Sequence, residues 1–371
     1  MAAPGTALHQ VSLDPISADA ATDDLLTAIL RANPRVSDLI FSPGRKFQVQ
    51  VSGELIPLEA NSTSSLTADD TRRIASDLIG NNKAAISMLR EQGYCDISYA
   101  LPGVARFRVN VFIQRGSCAV VMRVIPTSIP DFKSLGLPET LGEIASLRDG
   151  LILVTGPRGS GKSSTLAAIL NHINEMETCH IITIEDPIEF LHNHKRATVH
   201  QRELHSDTPS VLQAMRAALR QAPNVIAVGE LKDRETMELA LEAAETGHLV
   251  LSTLNTLNAQ QTVERFVAAF PAAEQAGARE RLARMLRYVI SQRLVPQSES
   301  SHRIAVFEIL KSGSKVLDRL LEGGSSSGKK SAGLDEEIEK LVRAGMVTPE
   351  IALAHAIDPR ELAKKLAAPE K

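Results

Sequence analysis

The segment LILVTGPRGSGKSSTLAAILNHI, residues 151–173, constrains the chain more than any other. An unbroken aliphatic run leads into a glycine-rich loop, residues 156–163, that fits the pattern G-x-x-x-x-G-K-[S/T]. Behind it Leu166, Ile169, Leu170 and Ile173 fall at helical spacing, which predicts a buried strand, a loop and an amphipathic helix in that order. The chemistry needs that order, because glycines let the backbone fold around a phosphate while the helix's positive end faces the anion. Lys162 then reaches the outer phosphates, and the Ser163 hydroxyl is a ligand for Mg²⁺. The candidate nucleotide-binding set is Gly156, Pro157, Arg158, Gly159, Ser160, Gly161, Lys162, Ser163 and Ser164. Average residue usage gives a chance match on the order of one in a hundred for a chain this long.

The runs HIITIED (180–186), NVIAVGE (224–230) and HLVLSTL (248–254) are likewise short and aliphatic, as strands buried on both faces of a largely parallel sheet are. Helical patterns separate most of them. One precedes NVIAVGE, with Asp207 or Thr208 as its cap, and another, RETMELALEAAETG, stops at Gly247. The expected fold class is α/β, a doubly wound core around the loop.

Acids end two of these strands. Glu185, Asp186 and Glu189 lie in IEDPIEF, where carboxylates at a strand's carboxyl end can position a metal or an attacking water, or cap a turn around Pro187. Glu230 closes an apolar strand, the arrangement in which a carboxylate holds Mg²⁺ beside a phosphate loop. His192, His194, His200 and His205 crowd one segment, but their spacing fits neither HExxH nor a cysteine-supported zinc site. Solvated loop histidines are the preferred reading.

At 371 residues the chain is long for one domain and comfortable for two. Residues 1–125 mix strand-like runs such as FQVQVSG and FRVNVFI with a helix, DDTRRIASDLI, and form a smaller α+β domain. Arg106, Arg108, Arg115 and Arg123 recur there, as a charged sheet face or as arginines aimed at phosphates. Residues 126–140 hold three prolines and are the expected interdomain linker; residues 141–322 form the α/β domain. Past Phe307 the pattern turns helical, residues 323–333 form a Gly/Ser-rich connection, and residues 334–371 a helical appendage. A net charge of -3 and 3% aromatic residues disfavour a nucleic-acid binder. Three scattered cysteines suit a reducing cytoplasm, and neither a signal peptide nor an apolar run of about 18–20 residues is found.

Taken together, SDLIFSPG, GVARFRVNVFIQRG, GPRGSGKSS, IITIEDPIEF, HQRELHSDT, VGELKDRET, AAETGHLVLSTLNT and GMVTPEIALAHAIDPREL resemble the secretion ATPases of type II secretion and type IV pili. The resemblance is nearest to the pilus retraction (PilT-like) branch and spans nearly the whole chain. It implies an N-terminal PAS-like domain and a RecA-like P-loop ATPase domain in a hexameric ring, with ATP between the domains and Mg²⁺ as cofactor. It also implies a cytoplasmic motor that drives pilus retraction and twitching motility, peripheral to the inner membrane through a platform protein. Carried onto this sequence, Glu189 matches the catalytic glutamate, Glu230 the Walker B glutamate, and Ser163 with Glu230 the metal ligands. Arg108 and Arg123 fall where the family's N-terminal domain supplies arginines to the nucleotide. The sequence departs from the family at Asn255, where TLNT stands for TLHT, and at Lys232, in place of a frequent arginine. It departs again at Arg158, in place of a small residue, and in KVLDRLLEGG, where retraction ATPases carry a pattern resembling AIRxLIREGK. These departures define an alternative: a weakly hydrolysing accessory paralogue that binds nucleotide and assists another pilus ATPase.

Overall fold

The computed structural model describes residues 12–13, 21–51, 54–60, 65–125, 128–298, 303–323 and 333–367. Chain contacts divide it into two units, Met1–Ser128 and Ile129–Lys371.

In the first unit strict alternation builds one antiparallel sheet from β2 (Val36–Phe41), β3 (Gln48–Val51), β4 (Glu54–Pro57), β6 (Tyr94–Leu101), β7 (Ala105–Gln114) and β8 (Ser117–Ile125), with β1 (Ser12–Leu13) and β5 (Glu59–Ala60) paired apart from it. Its order is β4-β3-β2-β8-β7-β6. Helices α1 (Thr22–Ala32), α2 (Ala68–Ile79) and α3 (Lys83–Gln92) give it their apolar residues, closing a core around Phe41, Phe107, Ile74 and Met122. A capping box starts α2: Asp70 N donates to Thr67 Oγ1, and Thr67 N to the Asp70 carboxylate. Arg115 sits in the β7–β8 turn rather than on a strand, with φ 48° followed by 77° at Gly116, as a tight primed hairpin turn demands.

The second unit is a seven-stranded sheet of order β11-β10-β12-β13-β9-β14-β15. Its strands are β9 (Gly150–Thr155), β10 (His180–Glu185), β11 (Thr198–Glu203), β12 (Val225–Val228), β13 (Leu249–Leu254), β14 (Leu286–Pro296) and β15 (Arg303–Lys311). All pair in parallel except β14 with β15. Every residue of β9, β12 and β13 is buried, which explains their unbroken aliphatic runs. Helix α4 (Lys162–Met176) and a 3₁₀ helix, Glu139–Ser146, cover one face through Leu166, Ile169, Ile173 and Ile144. Helices α5 (Val211–Ala218), α6 (Arg234–Glu245), α7 (Ala259–Ala268), α8 (Gln275–Met285) and α9 (Lys315–Leu321) pack in a cluster on the other. Such two-sided covering makes the sheet doubly wound and gathers the ends of β9, β10, β12 and β13 along one edge.

Several local expectations change. From Ile129 onward the proline-rich stretch belongs to the second unit, where Leu137 is buried. The chain is still extended past Phe307, because β15 pairs along its whole length with β14 and the helix α9 begins only at Lys315. Helix α5 is capped by Ser210, whose Oγ accepts from Gln213 N, not by Asp207 or Thr208. The Gly/Ser-rich connection falls mostly on residues outside those described. Beyond it α10 (Gly333–Arg343), α11 (Pro349–His355) and α12 (Pro359–Ala367) close around Leu334, Ile338 and Leu362 against Val295 and Val306. No helix among the described residues is long and apolar enough to cross a membrane.

Candidate active site

The loop after β9 takes the shape its glycines allow. Gly156, Gly159 and Gly161 have φ of 151°, 76° and 87°. At Gly156 a Cβ would come within 2.3 Å of the Gln292 carbonyl oxygen, so the first glycine is required sterically as well as conformationally. Gly161 caps α4 without a side-chain hydrogen bond, leaving the helix's first N–H groups for an anion. Lys162 Nζ donates to the carbonyls of Gly156 and Pro157, both at 2.9 Å, which curls the ammonium over the loop. Burial pushes its pKa down, while Glu230 and Glu189 oppose that shift and Arg158 adds to it. One lysine therefore feels both carboxylates named from the sequence. The Ser160 hydroxyl is buried with no hydrogen-bond partner among the described residues. Pro157, Arg158 and Gly159 are exposed, while Ser163 and Ser164 are half-buried in the first turn of α4.

Glu230 lies two residues past β12, beside Asn255, one residue past β13. Asn255 Nδ2 donates to Glu230 Oε1 at 2.5 Å. The position lacking the expected histidine thus holds the Glu230 carboxylate by a neutral amide. Lys232 lies 3.9 Å from the Asp186 carboxylate, an exposed pair of little energetic weight.

Glu189 rides on a loop fixed from below by β11, an element the sequence did not betray. Gln201 Nε2 donates to Phe190 O at 2.8 Å and to Glu185 Oε1 at 2.9 Å, and its Oε1 accepts from His192 N at 2.7 Å. Two residues on, the same face of β11 presents Glu203, whose Oε2 accepts from Ile188 N at 3.0 Å. Burial raises the pKa of Glu185, opposed by hydrogen bonds from Thr183, Gln201 and the Glu189 backbone. Glu185 therefore works beneath the loop that carries Glu189.

The histidines divide. His194, His200 and His205 are exposed, as expected, though His200 stands on β11, with its Nδ1 2.8 Å from His180 Nε2. His192 is not simply solvated, since burial drives its pKa down to about 4. No group of three or more potential ligands forms a metal site among the described residues. In the first unit Arg108 and Arg123 are exposed and directly paired across β7 and β8, and Arg123 Nε donates to Asp38 at 2.9 Å.

Comparison with known proteins agrees with this layout. The family model described as Type II/IV secretion system protein matches residues 94–332. A Pseudomonas aeruginosa protein named Type IV pilus retractation ATPase PilT is 40% identical over 338 residues, covering 86% of this chain and 94% of its own length. A twitching motility protein of Neisseria gonorrhoeae is 45% identical over 272 residues, 70% of this chain and 72% of its own. Among solved structures, the pilus retraction motor PilT with bound ADP superposes with a TM-score of 0.83 at 40% identity, covering 89% of this chain and 95% of that one. The chain belongs to the type II/IV secretion system protein family and is a PilT-like ATPase within it.

Proposed function

We propose that the chain is the retraction motor of a type IV pilus, a homohexameric ring in the cytoplasm that turns ATP hydrolysis into removal of pilin subunits through an inner-membrane platform protein. The observation that carries the reading is Lys162, seated on the phosphate loop and within the fields of both Glu230 and Glu189. In this reading residues 1–125 form the PAS-like domain, 126–140 the linker, and 141–322 the ATPase domain.

The loop N–H groups and Lys162 bind the β- and γ-phosphates, and Arg108 and Arg123, whose side chains are exposed, are the arginines that the family resemblance assigns to nucleotide. Mg²⁺ fits the donors present: one hydroxyl, Ser163, and one carboxylate, Glu230, are a partial set of hard oxygens of the kind that phosphate oxygens and water complete. When bound, it neutralises charge developing between the phosphates. Glu189 orients the attacking water and accepts its proton, and Asn255 holds Glu230 in place. Lys162→Ala introduced into the native strain is expected to abolish twitching while surface pili accumulate. Undiminished motility in that strain overturns the reading.

A second reading, the accessory ATPase, draws on Asn255. An amide on Glu230 can neither carry a proton nor add positive charge. A relative at 36% identity over 335 residues, from Pseudomonas aeruginosa, is named Type IV pilus ATPase PilU. Asn255→His raises turnover several-fold if the amide limits the rate; an unchanged rate rules the amide out as the cause.

A further inference from the structure

Strand β14 runs parallel to β9 with Ser291 opposite Thr155, so the next residue, Gln292, faces the start of the phosphate loop. Gln292 is 3% exposed, in a strand otherwise rich in aliphatic residues. Its amide is used at both ends: Nε2 donates to Ser160 O at 2.5 Å, and Oε1 accepts from Thr165 Oγ1 at 2.7 Å. Its backbone carbonyl limits residue 156 to glycine, and its Nε2 lies 2.9 Å from where a Cβ on residue 161 would stand. One residue therefore touches the loop's beginning through its backbone, and the loop's end and the first turn of α4 through its side chain. A carboxylate there loses the donor, an ammonium loses the acceptor, and a hydrocarbon loses both.

We propose that Gln292 is a positioning residue for nucleotide binding, a buried clamp that holds the loop's N–H groups in the geometry that receives phosphate before the ligand arrives. This rests on the reading that the loop binds the nucleotide's phosphates. A preformed cradle spares the ligand the ordering cost, so the clamp acts on affinity.

The test uses the purified full-length chain with ADP and Mg²⁺. Gln292→Met is expected to weaken ADP binding about tenfold, the equivalent of about 1.4 kcal/mol, while the circular dichroism spectrum without nucleotide remains that of the folded wild type. Thr165→Val cuts the same amide from the other side and remains informative if the first variant does not fold. It should cost several-fold in affinity, and the double variant no more than Gln292→Met alone, because one interaction is being removed twice. Thr155→Val is the control. It removes a neighbouring link between the same strands, Thr155 Oγ1 to Ser291 Oγ at 3.1 Å, without touching the loop, and should leave ADP affinity within about twofold. ADP binding by Gln292→Met within twofold of the wild type overturns the proposal, as does equal weakening by Thr155→Val. A wild-type chain that binds no ADP while Gln292→Met folds normally removes the phosphate site itself, and the clamp with it.

Discussion

The phosphate loop and the loop at residues 186–192 both extend from carboxyl ends of parallel strands in one sheet, yet they take their shapes from different sources. The first owes its turns to its own backbone, three glycines at positive φ, a helix that starts at once and a lysine bonded to carbonyls five and six residues before it, with Gln292 of β14 clamping its end. The second owes its path to side chains from β11, where Gln201 and Glu203 hold Ile188, Phe190 and His192 by their backbone groups. Turns that glycines set can be read locally, whereas contacts from a distant strand, Gln201 and Gln292 alike, cannot. In the proposed function the division also separates tasks: the first loop is assigned the ligand's phosphates and the second carries the carboxylate assigned to chemistry.

The strongest way to break the comparison is Gly156→Ala. A methyl group at that site meets Gln292 O at 2.3 Å and Ser160 Oγ at 2.5 Å on a backbone at φ 151°. We expect a loss of about 3 kcal/mol or more of stability, together with loss of ADP binding, checked by thermal unfolding and ligand titration. A variant of normal stability and affinity shows that the loop's own backbone does not set its shape.

That contrast explains how far the sequence could be read. The strands β9, β10, β12 and β13 were legible because burial on both faces requires aliphatic runs, and α4 because its apolar face keeps helical spacing. Lys162 and Glu230 were singled out by motifs and Glu189 by the family resemblance, and the fold sets Lys162 within the fields of both carboxylates. Strand β11 was not, since TVHQRE is an edge strand whose polar side chains hold a loop instead of entering the core. The β15 segment RIAVFEILK resembles a helix start near Phe307 until its antiparallel partner is known. Gln292 lies in no motif; its one signal is a polar trio, Ser291, Gln292 and Arg293, inside the otherwise aliphatic run VISQRLV.

Gln201→Leu sharpens the comparison from the other side. It removes three hydrogen bonds beneath Glu189 and leaves the phosphate loop intact. With each bond worth on the order of 1 kcal/mol, turnover should fall about tenfold or more while ADP affinity stays within about twofold. Equal losses in both quantities would mean that the two loops act as one.

The smallest effect concerns pH. His192 is held neutral in the fold, its pKa pushed from 6.5 to about 4 by burial. An opened loop binds the proton that the closed loop excludes, so this stabilisation is present above about pH 6.5 and is lost as pH falls towards 4. Hydrogen exchange at residues 188–192 should therefore quicken between pH 6.5 and 4 beyond the intrinsic trend, and His192→Gln should flatten that dependence. The phosphate loop, without a histidine, should show no such change.

The central claim is that Lys162, Glu189 and Glu230 make one hydrolytic site. It is tested most directly by steady-state ATP hydrolysis of the purified chain with Mg²⁺, beside Lys162→Ala and Glu230→Gln, with oligomer size measured in the same buffer. The account predicts turnover by a ring-sized assembly that both substitutions remove without dissociating it. Turnover that survives either substitution, or tight nucleotide binding with no turnover at all, contradicts it.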